Sequence, residues 1–201
     1  MDKLKNNIPH VIIFLLFGIA LGTISKYLDT VSVVDKNWLT IILHYFAALF
    51  TRLGVWVFIA TLIAAYCKTP IRAAIHTFVF FIGMLISYYV YSAYLFGVFP
   101  TKYFIAWGSL ALISPLLAII AWKAKNNVRL AYILPALPMG LMMSLSFGMG
   151  LFYMYLNHIE ELMMYVVLCV VFYKNPKQLA ILVALSICVG FMVELLSPFH
   201  F

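Results

Sequence analysis

Seven apolar runs, most of them separated by short breaks that carry charges or proline, account for most of this chain. They cover residues 9–25, 52–67, 71–95, 103–122, 130–152, 161–173 and 178–196. A helix that crosses a bilayer needs about 20 largely apolar residues. Runs of this length and spacing therefore leave no room for a water-soluble module. Of the 201 residues, 66% are hydrophobic and 9% are charged, and the mean hydropathy is +1.08. A water-soluble fold could not cover such a surface, so lipid is the expected outer solvent. The fold class read from the sequence is all-α: a polytopic membrane helix bundle of seven spans in a single domain, 1–201, with the cell membrane as its location.

Two of the runs, 52–67 and 161–173, are short for a crossing. The segment ahead of the first, 37–51, places Leu39, Ile42, Leu43, Phe46, Leu49 and Phe50 at helical spacing. It is either an interfacial helix or the outer half of one long tilted span. The first run follows Lys3 and Lys5 and ends near Ala20 and Gly22, a pattern that also fits a signal peptide. The charge alternation that starts with this run assigns it as a retained span.

The net charge of +7 does not point to nucleic acid, because the cations sit in short loops beside apolar runs. Lys3, Lys5, Lys68, Arg72, Lys123, Lys125, Arg129, Lys174 and Lys177 fall in alternate loops, while the opposite loops hold only Lys26, Lys36 and Lys102. Lys and Arg favour the cytoplasmic side during insertion. The pattern predicts a cytoplasmic N-terminus and an outer C-terminus, which requires an odd number of spans.

LIAAYCKTPIRAAI, at 62–75, aligns with LCVVFYKNPKQLAI, at 168–181, and shares Leu, Lys, Pro, Ala and Ile in register. The match allows parallel repeats, 9–95 and 130–196, joined by a linker helix at 103–122, a plan found among transporters. The other reading is that any cytosolic helix end shows an aromatic residue, a Lys and a Pro. Gly18 with Gly22, and Gly140 with Ser144 and Gly148, recur at intervals of four and predict close helix packing. Pro115 falls in the fourth span, and Pro135 and Pro138 in the fifth, which is expected to be kinked. Trp38, Trp56, Trp107 and Trp122 read as an aromatic belt at the interfaces.

Charges at membrane depth are costly and mark function. Arg52 opens the second span, His158, Glu160 and Glu161 open the sixth, and Glu194 lies near the end of the seventh. The loop charges place all of them toward the outer leaflet. Tyr88 and Tyr91 share a face of the third span with Ser92, and their hydroxyls need partners in lipid. The candidate substrate-binding residues are therefore Arg52, Glu160, Glu161, Glu194, Tyr88, Tyr91 and His158. Arg52 would anchor an anionic group, the carboxylates would tune it, and the tyrosines would donate hydrogen bonds. The competing reading makes the charged residues ordinary helix ends at headgroup level, where Glu160 and Glu161 suit a helix N-terminus.

Catalytic signatures are missing: the sequence has no Gly-x-Ser-x-Gly, no His-Glu-x-x-His and no phosphate-binding glycine loop. The methionines between Met139 and Met164, with His158 among them, raise Cu(I) as a ligand. Met also fills irregular core gaps, and no sustained ligand face forms, so neither metal nor cofactor is expected. Cys67, Cys169 and Cys188 lack disulfide or zinc spacing and read as packing residues. The expected function is a small permease or a membrane-embedded solute-binding subunit, with the bilayer, a small solute and other membrane subunits as partners and no nucleic acid. Two alternatives stand beside it: a non-transporting accessory or sensor subunit, and an intramembrane lipid-modifying enzyme using His158 and Glu161.

Overall fold

The computed structural model describes residues 8–30, 37–149 and 154–196. Lys3, Lys5, Lys36, Gly150 and His200 lie outside them. The described chain is helical apart from short turns and one small hairpin. Its elements are α1 (Ile8–Asp29), α2 (Trp38–Thr51), α3 (Leu53–Ala65), α4 (Pro70–Phe96) and α5 (Thr101–Asn126). A 3-10 turn (Leu130–Tyr132), α6 (Ala136–Ser146), β1 (Phe147–Met149), β2 (Met154–Leu156), α7 (Ile159–Phe172) and α8 (Pro176–Leu196) follow. Among the described residues, α1, α4, α5 and α8 are long and apolar enough to cross a membrane, and α2 with α3 makes a fifth if the pair is one broken span.

Local chemistry accounts for the boundaries. Pro70 opens α4, where the missing N–H would have had no helical partner, and the Thr69 hydroxyl accepts from the Arg72 amide at 3.3 Å. Gly97, at φ 67°, closes α4 in the left-handed conformation that other residues resist. In the turn that aligns with this one, the Asn175 side-chain oxygen accepts from the Gln178 amide at 2.8 Å, ahead of a helix that begins at Pro176. The two turns thus share one capping arrangement. Arg52 separates α2 from α3 with extended backbone, φ −83° and ψ 144°.

The segment 130–152 is not the continuous kinked span expected from its sequence. Pro135 stands just ahead of α6 and Pro138 sits in its first turn. At these positions proline breaks no helical hydrogen bond, so the two residues start the helix and do not bend it. α6 stops at Ser146, and the chain turns into an antiparallel pair with Phe147 opposite Leu156 and Gly148 opposite Tyr155. The Ser146 carbonyl accepts from the amides of Asn157 at 2.8 Å and His158 at 3.2 Å, which closes the base of the hairpin. Gly148 therefore does not continue the glycine stripe of α6. It lies beneath the Tyr155 ring, with the space a Cβ would need filled by that ring.

The chain divides into two compact units. The first holds residues 1–52 and 67–119, and the second 53–66 and 120–201. In the first, α1 and α4 pack with their backbones in near contact. A Cβ at Gly18 or Gly22 would overlap the backbone of α4 around Phe80 and Met84. In return, a Cβ at Gly83 would lie 2.6 Å from the Leu15 carbonyl oxygen. Small residues at such points let helices gain dispersion contact in a solvent that offers no hydrophobic drive. Leu85 and Tyr89 of α4 pack on Ala111 of α5, flanked by Phe81, Phe104 and Trp107.

The core of the second unit is formed by Ala65, Ala136, Met139, Met142, Tyr165, Leu168, Phe172 and Leu182. Met139 and Met142 are fully buried there. Gly140 of α6 lies against Val189 and the Ser186 carbonyl of α8, as its spacing predicted. Trp56 is buried, at 4% exposure, unlike the belt residue expected from its sequence, whereas Trp38 is 70% exposed.

Candidate functional site

The candidate residues divide between the two units: Arg52, Tyr88 and Tyr91 belong to the first, and His158, Glu160, Glu161 and Glu194 to the second. Each unit builds a polar group of its own.

In the first unit, α1 ends with Lys26 and Asp29 on one side of the helix. The Lys26 ammonium lies 3.7 Å from the Asp29 carboxylate and 5.0 Å from the ring centroids of both Tyr88 and Phe96. The Tyr88 hydroxyl donates to Asp29. A phenol near the end of an apolar helix thus finds its acceptor on a neighbouring helix. Sequence reasoning selected Tyr88 but missed Lys26 and Asp29. Their three-residue separation at the end of an apolar run was the available signal. Tyr91 is half-buried on the same helix, and Ser92 is buried.

In the second unit, polar side chains gather where α6 ends and α7 begins. Glu161, in the first turn of α7, has no exposed surface. Gly54 of α3 lies against it, and a Cβ there would fall 2.9 Å from Glu161 Cγ and 3.3 Å from Oε1. Glycine at 54 thus makes room for the carboxylate. Glu161 also has the partial positive charge of the α7 N-terminus at hand. His158 stands at the N-cap of α7 with its Nδ1 3.2 Å from the Leu145 carbonyl oxygen. On the adjacent face of α6, the Ser144 hydroxyl donates to Glu194 of α8 at 3.1 Å. Ser146, fully buried, returns its hydroxyl to the Met142 carbonyl.

Deeper in the same unit, the Tyr165 and Ser186 hydroxyls are bonded at 2.8 Å between α7 and α8. Gln178, also without exposed surface, ties three stretches of backbone together. Its amide donates to the carbonyls of Ala131 at 2.8 Å and Phe172 at 3.0 Å, and its oxygen accepts from the Lys174 amide at 3.0 Å. Asn175 adds a bond to the Tyr132 hydroxyl at 3.2 Å. Sequence reasoning singled out none of Gln178, Tyr165 and Ser186. A lone amide or hydroxyl in an apolar run was the only trace.

Among the described residues, no three His, Cys, Asp or Glu side chains come together as metal ligands. Comparison with known proteins finds no match to this chain among family models, curated proteins or solved structures.

Proposed function

We propose that this chain is a small membrane permease, or a membrane-embedded solute-binding subunit, that takes a small solute at a polar site toward its outer face. The reading includes seven crossings, with the N-terminus cytoplasmic and the C-terminus outside. For that count, α6 with its hairpin and α7 must each serve as a crossing although both helices are short. The alternating loop cations support the orientation.

One observation carries the proposal: Glu161 is a completely enclosed carboxylate in a unit that also bonds the part-buried Glu194 to the buried Ser144 hydroxyl. Burying a carboxylate costs several kcal/mol or more unless something offsets it. A protein that needed these helices only for packing would be more stable with an apolar side chain there. Retaining an enclosed carboxylate, with a second, part-buried one in the same unit, suits a site that holds or couples a solute. Gly54 maintains the space, and His158 and Glu160 stand at the entrance to the same helix. Arg52, the cation at the break between α2 and α3, is the proposed anchor for an anionic group, and Tyr91 is the proposed hydrogen-bond donor of the first unit; the Tyr88 hydroxyl, expected to join it, already donates to Asp29 and can only accept.

The lipid-modifying alternative draws less support, since His158 Nδ1 already faces a carbonyl and only Nε2 would be available as a base. Purified protein in nanodiscs, screened against amino acids, carboxylates and sugars by thermal shift, gives the first test. Solutes that stabilise it are then followed as radiolabelled tracers into proteoliposomes. Uptake should be abolished in Arg52→Ala and Glu161→Gln while membrane expression is unchanged. Undiminished uptake in both variants contradicts the proposal. A stoichiometric second membrane protein, with no solute bound, would favour the accessory-subunit reading.

A further inference from the structure

The turn that leads into α4 holds a thiol and an imidazole that the reading above does not use. Cys67 Sγ lies 3.4 Å from His76 Nδ1. His76 is 6% exposed, and its ring stacks on Phe14 of α1 with centroids 4.7 Å apart and planes at 27°. The Thr69 cap and Pro70 turn the chain so that Cys67 returns alongside the second turn of α4. The charged and titratable neighbours are Arg72 on the preceding turn of α4, His10 on α1 with its ring centroid 6.3 Å from that of His76, and the exposed Lys68. A metal cage would need a third ligand, and among the described residues none completes such a group.

We propose that Cys67 is a nucleophilic thiol, served by His76 as its base, that accepts an acyl group from long-chain acyl thioesters at the membrane surface. The imidazole takes the thiol proton as Cys67 sulfur attacks the thioester carbonyl. A new carbon–sulfur bond forms, the donor's carbon–sulfur bond breaks, and the departing thiolate recovers the proton from the imidazolium. Nothing is oxidised or reduced.

Position selects this donor. Cys67 lies three residues ahead of Pro70, the first residue of a helix long enough to span, which puts the thiol at headgroup level. Ile71, at 70% exposure, offers apolar surface to an acyl chain. Lys68 and Arg72 supply positive charge for a phosphate-bearing head. Burial pushes the Cys67 thiol above its ordinary value, with Arg72 acting in the opposite direction. Little thiolate then exists at neutral pH, and reaction there depends on the neighbouring base. Cys169 and Cys188 lie within α7 and α8, and among the described residues no imidazole stands beside either.

The test incubates nanodisc-embedded protein with palmitoyl-coenzyme A at pH 7 and follows intact mass and peptide maps. The expected result is one acyl group on Cys67, released by neutral hydroxylamine, kept in Cys169→Ser and Cys188→Ser and lost in Cys67→Ser. His76→Gln should slow the reaction about 100-fold at pH 7. Its rate should recover toward pH 10 as thiolate forms unaided, whereas the native chain changes much less. His76→Phe, which keeps an aromatic ring against Phe14, should behave as His76→Gln and guards against a folding artefact. The proposal is overturned by no acylation, by equal acylation of Cys188, by an unchanged rate at pH 7 in both His76 variants, or by a stoichiometric zinc ion that Cys67 and His76 hold in place of an acyl group.

Discussion

The two units are held together by different means. In the first, α1 and α4 approach closely through Gly18, Gly22 and Gly83, and the described hydrogen bonds between polar side chains of different elements are those of Tyr88 with Asp29 and Cys67 with His76. In the second, polar side chains tie the elements together at the ends and midway: Gln178 joins three backbone stretches at the start of α8, Tyr165 meets Ser186 midway, and Ser144 meets Glu194 near the ends of α6 and α8. Helices in lipid have no hydrophobic drive to associate, so close packing and buried hydrogen bonds are the two available sources of affinity. Close packing fixes geometry and leaves little for chemistry. A hydrogen-bonded interior is costly if incomplete, and it supplies groups that can bind or exchange a partner.

That contrast can be broken by substitution. Gln178→Leu strands the Ala131 and Phe172 carbonyls and the Lys174 amide at once, and each loss costs about 1–3 kcal/mol. We expect a destabilisation of at least about 3 kcal/mol, read as a large fall in the thermal midpoint in mild detergent or as loss of folded protein. A near-native midpoint would show that the second unit does not depend on its amide. Gly83→Leu drives a side chain into the backbone of α1, and overpacking of this kind costs about 1–3 kcal/mol. An unchanged thermal midpoint in mild detergent would remove the close approach. Tyr165→Phe sharpens the comparison at the low end. Ser186 keeps its bond to the Val183 carbonyl, so the loss should be about 1 kcal/mol or less, a shift of a few degrees.

Much of the helical layout is legible in the sequence because four apolar runs are long and uninterrupted. The runs 9–25, 71–95, 103–122 and 178–196 correspond to α1, α4, α5 and α8, with ends that differ by a few residues. Gly18, Gly22 and Gly140 show their packing role through spacing alone. The end of α6 is not visible in this way. Gly140, Ser144 and Gly148 keep a helical interval, but Gly148 serves a strand turned beneath Tyr155. The prolines mislead for a related reason: composition does not say whether a proline starts a helix or interrupts it. Of the candidate polar residues, Glu161, Glu194 and Tyr88 have buried or bonded settings that a charge or phenol in an apolar run implies. Asp29, Gln178 and Ser186 escaped notice because their partners are distant in sequence or are backbone atoms.

The proposal of a solute site facing outward depends on which side of the bilayer the turn between α5 and the 3-10 turn occupies, since Lys123, Lys125 and Arg129 flank it. A single cysteine at Asn127, in a chain freed of its native cysteines, can be exposed to a membrane-impermeant maleimide in intact cells and again after lysis. The account expects labelling only after lysis. Labelling in intact cells would put the turn outside, reverse the orientation, and move Glu161 and Glu194 to the cytoplasmic side.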